Sequence, residues 1–319
     1  MAHLEHLGRI AYTVIGPIAV LAGMGYLVGR KVPAAAEVLA KILIYLLIPL
    51  YVFQKILESS LAGAEYGWIV LFSALVVVIL YVAARGVSRV RRHERPLRGA
   101  FANTAILYNS ANFGIPVMAL AFSIDPARES YAVGVQIVVA ACQGFVAYTL
   151  GAFLAAAGAG GVSHAVRKVW RLPFAYALGV ALVLKWLGVD ADSLRRIHIL
   201  WKPLALVCDA YVAVALMTLG AQMANVRLVQ APLDLVLSMV LRLAAGPLIG
   251  LALVKVMGLE GLLAQILIIG AAGPSAVSSA VVAIEFKNRP DFAAGAVLLS
   301  TLAAALTVPI VIFLAQTLL

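Results

Sequence analysis

Runs of about 20 mostly apolar residues, the length needed to cross a bilayer, recur from one end of this chain to the other. Ten can be marked, centred near Ala19, Tyr45, Val76, Asn112, Ala140, Val180, Val212, Ala244, Gly270 and Ala305. No segment between them is long enough for a separate soluble domain. With 64% hydrophobic and 12% charged residues, the composition is that of a protein living in lipid. Lipid offers no hydrogen bond to a free backbone group, so the expectation is one all-α integral membrane domain.

Lys and Arg outnumber Asp and Glu by 24 to 14, but they fall between the apolar runs and not along one amphipathic face. That distribution speaks against nucleic acid as a partner and for orientation in the membrane. One set of alternate connections holds Arg30, Lys31, Arg85, Arg89, Arg91, Arg92, Arg95, Arg98, Arg167, Lys168, Arg171, Arg227, Lys287 and Arg289. The opposite set holds Arg9, Lys55, Arg128, Lys185, Arg195, Arg196, Lys202 and Lys255. The first set is the cytoplasmic one by the positive-inside rule, which places both termini outside in a multi-pass protein of the cell (inner) membrane. Residues Met1 to Arg9 lack a cationic leader and enter a run too long for a signal sequence, so that run is read as a mature helix.

Two of the runs contain breakers. The fourth carries Tyr108-Asn109-Ser110-Ala111-Asn112-Phe113-Gly114-Ile115-Pro116, and the ninth carries Ile269-Gly270-Ala271-Ala272-Gly273-Pro274-Ser275-Ala276-Val277-Ser278-Ser279. Irregular backbone at membrane depth survives only where protein or a watery cavity satisfies it. Pro116 and Pro274 lie 158 positions apart in a chain of 319 residues, close to half its length. Ten runs therefore divide into residues 1–157 and 173–319, five each, joined by a short cytoplasmic linker at 158–172. An odd number of spans per half inverts one half relative to the other, the arrangement of transporters whose sites lie at the midplane where broken helices meet.

The candidate site follows from these breaks. Asn109 and Asn112, three apart, would share a helical face beside Gly114 and Pro116. Ser275, Ser278 and Ser279 follow Gly273 and Pro274, where a half-helix beginning after the proline would aim its amide donors and positive end at the break. An anion is the ligand such ends stabilise. Ser110 lies within the first break, and Gln136 and Gln143, seven apart, share a face of the fifth run. Each of these polar groups has a competing role as interhelical glue or as a bond to its own helix. Asp209 and Arg242 come within a turn or two of the same depth, so they are read as an internal ion pair or, for Asp209, as a site coupling transport to a cation. Glu37 and Lys41 are spaced as a simple pair.

The five histidines fall in loops or at the ends of runs, and neither a Walker sequence nor a GxSxG elbow is present. No metal, no cofactor and no catalytic residues are expected. Cys142 and Cys208 lie in apolar runs and read as small packing residues.

In this order and spacing the motifs resemble the auxin efflux carrier family, which includes bacterial malonate-permease-like proteins and plant auxin exporters. The resemblance rests on Ile44 to Pro49, Asn109 to Pro116, Val135 to Val139 and Tyr148 to Leu150 in the first half. In the second it rests on Asp209-Ala210, Leu219-Gly220, Arg242-Leu243 with Gly246-Pro247, and Gly273 through Phe286. It implies ten helices in two inverted five-helix repeats, a fold similar to that of bile acid sodium symporters, with helices 4 and 9 crossing at their prolines. It also implies elevator-like movement of organic anions, with Asn109 at a position that contacts a substrate carboxylate and Gln136 and the residues after Pro274 lining the site. The long central loop of plant members and the acidic clusters that hold sodium in bile acid carriers are absent. A carrier of small organic anions, with lipid as its surroundings and a homodimer as an allowed assembly, is the resulting expectation. Its alternatives are a sodium-coupled carrier of bulky amphipathic anions and a non-transporting membrane sensor.

Overall fold

The computed structural model describes residues 2–156, 173–224, 226 and 233–319, and among them every extended element is helical. The linker at 158–172, with Arg167, Lys168 and Arg171, and the loop residue Arg227 lie outside the described residues. In chain order the first three helices are α1 (Glu5–Lys31), α2 (Ala35–Glu58) and α3 (Gly63–Val90). A polar helix α4 (Arg95–Ile106) is followed by the short apolar α5 (Ser110–Ala121) and the long α6 (Pro126–Ala155). The second half contains α7 (Pro173–Trp186), a single turn α8 (Ala191–Arg195), α9 (His198–Ala224) and α10 (Leu233–Val256). It ends with α11 (Gly261–Ala271), α12 (Val277–Glu285) and α13 (Pro290–Leu318). Seven of these, α1, α2, α3, α6, α9, α10 and α13, are long and apolar enough to cross a membrane, and α5, α7 and α11 are shorter apolar helices.

Prolines account for four of the places where the helices widen; a further π turn in α6, at Ala147–Gly151, has none beside it. Pro17, Pro49, Pro116 and Pro247 each stand two positions after the last residue of a single π turn, at Ala11–Ile15, Leu43–Leu47, Ser110–Gly114 and Leu241–Ala245. A proline has no amide to give to the residue four back, and its ring presses on that carbonyl, so the preceding turn opens. The run continues as a helix with a bend. Among the described residues of the fourth and ninth runs, helix gives way altogether at 107–109 and 272–276.

The helices form two groups. In the first, α1 packs on α9, and α2 packs on α7 and α9. Gly25 and Gly29 of α1 and Gly220 of α9 bring two backbones together: a Cβ on Gly220 would run into the carbonyl of Ala22, and one on Gly29 would stand 2.8 Å from that of Ala221. Small residues at such spacing are how membrane helices approach closely without a hydrophobic driving force. In the second group α3, α4 and α6 pack with α10, α11, α12 and α13, while α5 packs on α6 and also touches α1 and α9 of the first group. Outward from both, large apolar side chains are exposed, Val20 and Leu206 in the first group and Leu248 and Leu306 in the second, as a lipid-facing surface requires. Glu37 and Lys41 form their pair at 2.6 Å on the outside of α2.

Candidate substrate site at the crossing of two broken helices

The two irregular segments meet. Tyr108 and Ser275 form an isolated antiparallel bridge, in which the amide of Asn109 donates to the carbonyl of Pro274 at 2.8 Å and the amide of Ala276 donates to that of Leu107 at 2.8 Å. Each break thus satisfies the backbone of the other. The resemblance places both prolines at the crossing; only Pro274 takes part in it. Pro116 lies eight residues beyond Tyr108, in the second position of the α-helical segment that starts at Ile115.

Further backbone groups at the crossing are met by side chains of α6 and α13 and by Ser275 itself. Gln143 of α6 accepts from the amide of Tyr108 at 3.2 Å, and Ser300 of α13 accepts from the amide of Ser275 at 3.0 Å. The hydroxyl of Ser275 donates to the carbonyl of Thr104 at 2.7 Å. Gln136, fully buried, donates from Nε2 to the carbonyl of Ser110 at 2.9 Å. It lies between Gly114, where any Cβ would collide with its amide nitrogen, and Gly270, where a Cβ would stand 2.7 Å from its Oε1. Those two glycines let one glutamine lie between both broken helices.

Arg242 corrects the expected ion pair. Asp209 is exposed, whereas Arg242 is completely buried. The Arg242 guanidinium donates to the carbonyl of Ala105 at 3.1 Å and to that of Ala271, and it lies 4.6 Å from the centre of the Tyr108 ring. These carbonyls belong to the last turns of α4 and α11. The negative ends of both first half-helices therefore fall on one cation, and their carbonyls take the place that a carboxylate would have filled as its partner. Similar depth along two helices did not specify that they face each other.

The opposite, positive ends are those of α5 and α12. The first amides of a helix have no acceptor within it, and here these belong to Ala111, Asn112 and Phe113 in α5 and to Val277 and Ser278 in α12. Asn112 and Ser278 are half-buried, while Asn109 and Ser110 are buried. Asn109 stands before the helix in a non-helical conformation, so it does not share a helical face with Asn112; it precedes that face as the cap residue. Ser275 lies in the bridge, one residue before Ala276, which caps α12, and the Ser279 hydroxyl donates to the carbonyl of Ala276 at 2.7 Å. Gly273 supplies a tight turn, its amide reaching the carbonyl of Gly270 at 3.3 Å.

Three side-chain amide atoms at the crossing are buried with no partner among the described residues: Asn109 Nδ2, Gln136 Oε1 and Gln143 Nε2. Unmet groups of this kind cost free energy unless something else engages them. A cavity of about 530 Å³ reaches this region at Phe113 of α5 and Thr301 of α13. Its other walls come from α1 and α9, largely apolar, with Tyr26 and Arg30 among its lining residues. The cavity therefore lies along the seam between the two helix groups. Tyr211 of α9 also meets the break there, donating to the carbonyl of Ala111 at 3.3 Å while stacked on Tyr51, the ring centres 4.1 Å apart.

Sequence reasoning missed Tyr211 and Ser300, single hydroxyls in apolar helices with nothing in their local pattern to set them apart, and Thr104, which takes part through its carbonyl. A model of a family described as membrane transport protein matches the chain twice, over residues 10–165 and 162–312. The chain belongs to this family, the auxin efflux carriers and their relatives. None of the curated proteins compared with it matches. Membership makes the chain a multi-pass membrane transport protein, in accord with its apolar helices.

Proposed function

We propose that this auxin efflux carrier family member is a secondary transporter of small organic anions, mono- or dicarboxylates or related acids, in the cell membrane. The observation that carries the reading is the convergence of two helix N-termini on an antiparallel crossing, with Asn109, Asn112 and Ser278 beside them and the carboxamide nitrogen of Asn109 unpaired. A carboxylate would gain the free amides and positive ends of α5 and α12, while Arg242 holds the negative ends of α4 and α11 apart from it. Ser110, Gly114, Gln136, Gly273, Pro274 and Ser275 position these donors; the hydroxyl of Ser275 is already used on Thr104.

The fold behind this reading has ten membrane-crossing elements in two inverted repeats, counting α4 with α5 and α11 with α12 as one broken element each. Supporting it, corresponding elements of the two halves take corresponding places. The first two of each half, α1 and α2 with α7 and α9, make one helix group, and the last three of each half make the other. Movement of the second group against the first would carry the crossing across the membrane as an elevator. The basic connections put both termini outside. A second reading, sodium-coupled carriage of larger amphipathic anions, draws on the apolar cavity of about 530 Å³; no hydrogen bond described at the crossing involves a carboxylate that would hold the cation. Purified protein screened against carboxylates by thermal shift, then assayed for flux in proteoliposomes with and without sodium and proton gradients, tests the proposal. Absence of flux for every stabilising anion would overturn it.

A further inference from the structure

Away from the crossing, three arginines surround a small cleft where α3, α4 and α6 meet. Arg85 of α3 and Arg95 and Arg98 of α4 line a cavity of about 210 Å³, closed by Gly99, Ala102 and Leu154. None of the three has a carboxylate within ion-pair distance among the described residues; Arg91, nearby in sequence, is by contrast paired with Asp234 at 3.0 Å. Arg98 donates to the carbonyl of His93 at 3.1 Å, but its Nε is buried without a partner among the described residues. Arg85 lies 5.9 Å from the ring centre of Tyr81 on its own helix.

A second polar group without a partner adjoins the cleft. Asn288, only 5% exposed, has neither side-chain atom hydrogen-bonded among the described residues. Its Nδ2 would stand 3.0 Å from a Cβ placed on Gly99, one of the residues lining the cleft. Unpaired guanidinium and amide donors gathered without an acceptor are costly together, and an anion relieves that cost. The cavity is smaller than the roughly 300–1,000 Å³ typical of sites for drug-sized ligands, which suits a single charged group. Guanidinium forks match phosphate oxygens in geometry as well as charge. The cleft also opens at the end of α3 that carries the most basic connection of the chain, the membrane face where basic pockets between helices meet anionic headgroups.

We propose that the Arg85, Arg95 and Arg98 cleft binds a phosphate group, carried by the headgroup of an anionic phospholipid or as a free ion. The test uses the full chain purified in detergent. Melting is followed against added phosphatidylglycerol, phosphatidylcholine, and sodium phosphate matched in ionic strength with sodium chloride. The variants are Arg98→Gln, the double variant Arg85→Gln with Arg95→Gln, and, as a control for charge alone, Arg89→Gln, whose exposed side chain lies outside the cleft. The expected result is stabilisation by phosphatidylglycerol beyond phosphatidylcholine, with the half-maximal concentration raised about tenfold or more in the cleft variants, the loss of one charged hydrogen bond. Arg89→Gln should leave it unchanged. Stabilisation by sodium phosphate beyond sodium chloride, with the same dependence on the variants, would support the site with a soluble ligand. If Arg98→Gln fails to fold, the double variant supplies the reading. No stabilisation specific to either phosphate source, or an equal loss in Arg89→Gln, would overturn the proposal.

Discussion

The backbone amide of Asn109 is bonded to the carbonyl of Pro274 at 2.8 Å, so the crossing is held by main chain and leaves the Asn109 carboxamide uncommitted. Replacing Asn109 by Ala removes no hydrogen bond made by its Nδ2. Folded yield and melting temperature should stay near those of the unaltered protein. Affinity for a transported carboxylate should fall about ten- to hundredfold, the equivalent of one hydrogen bond to a charged group. Binding titration on purified protein checks both parts, and unchanged affinity would remove Asn109 from the site.

Arg242 and Asp209 should behave oppositely. Arg242→Met leaves the carbonyls of Ala105 and Ala271 without their donor in the middle of the protein. At about 1–3 kcal/mol for each buried group left unmet, the loss is about 2–6 kcal/mol, enough to prevent folding or lower the melting temperature by many degrees. Arg242→Lys should rescue only in part, since a single ammonium lacks the planar fork that spans two acceptors. Asp209→Asn, exposed and not paired with Arg242 in the fold, should leave melting unchanged. A large loss of stability in Asp209→Asn would contradict the arrangement described here.

Much of this was legible in the chain because a bilayer leaves few options. Apolar runs of helix length, and breakers placed half a chain apart, single out Asn109 to Pro116 and Ile269 to Ser279 from the sequence alone. Gln136 and Gln143, chosen for their shared face, both reach the crossing. What failed was inference from helical periodicity across the breaks themselves. Asn109 and Ser275 lie in non-helical backbone, where spacing of three no longer means a common face. Partners across the fold, such as Ser300 for the amide of Ser275, depend on how distant helices pack and leave no trace in local sequence.

Gly220 tests the seam between α1 and α9. A side chain there must push against the backbone of Ala22, and two packed helices cannot separate without losing contacts along their length. Gly220→Val should abolish folded protein, judged by a monodisperse peak in size-exclusion chromatography. Gly86 of α3 has open space around the position of a Cβ. Gly86→Ala should therefore stabilise the protein, by about 0.5–1 kcal/mol from the helical preference alone.

Gly114 and Gln136 offer a test that separates packing from the hydrogen bond. In Gly114→Ala the new methyl meets the carboxamide of Gln136, which must leave the carbonyl of Ser110 or displace α5. Gln136→Ala alone loses that hydrogen bond but opens space beside Gly114 and Gly270. Combining the two should restore part of the stability that Gly114→Ala removes, because the clash no longer exists. Residues in contact couple by about 0.5–3 kcal/mol in such cycles, so a coupling in that range and of rescuing sign is expected from thermal melts of the four proteins. Additive losses would mean that Gln136 does not occupy the space over Gly114. Because Gln136 stands between both broken helices, its removal should also loosen the register of the crossing and reduce transport even where the double variant regains its melting temperature.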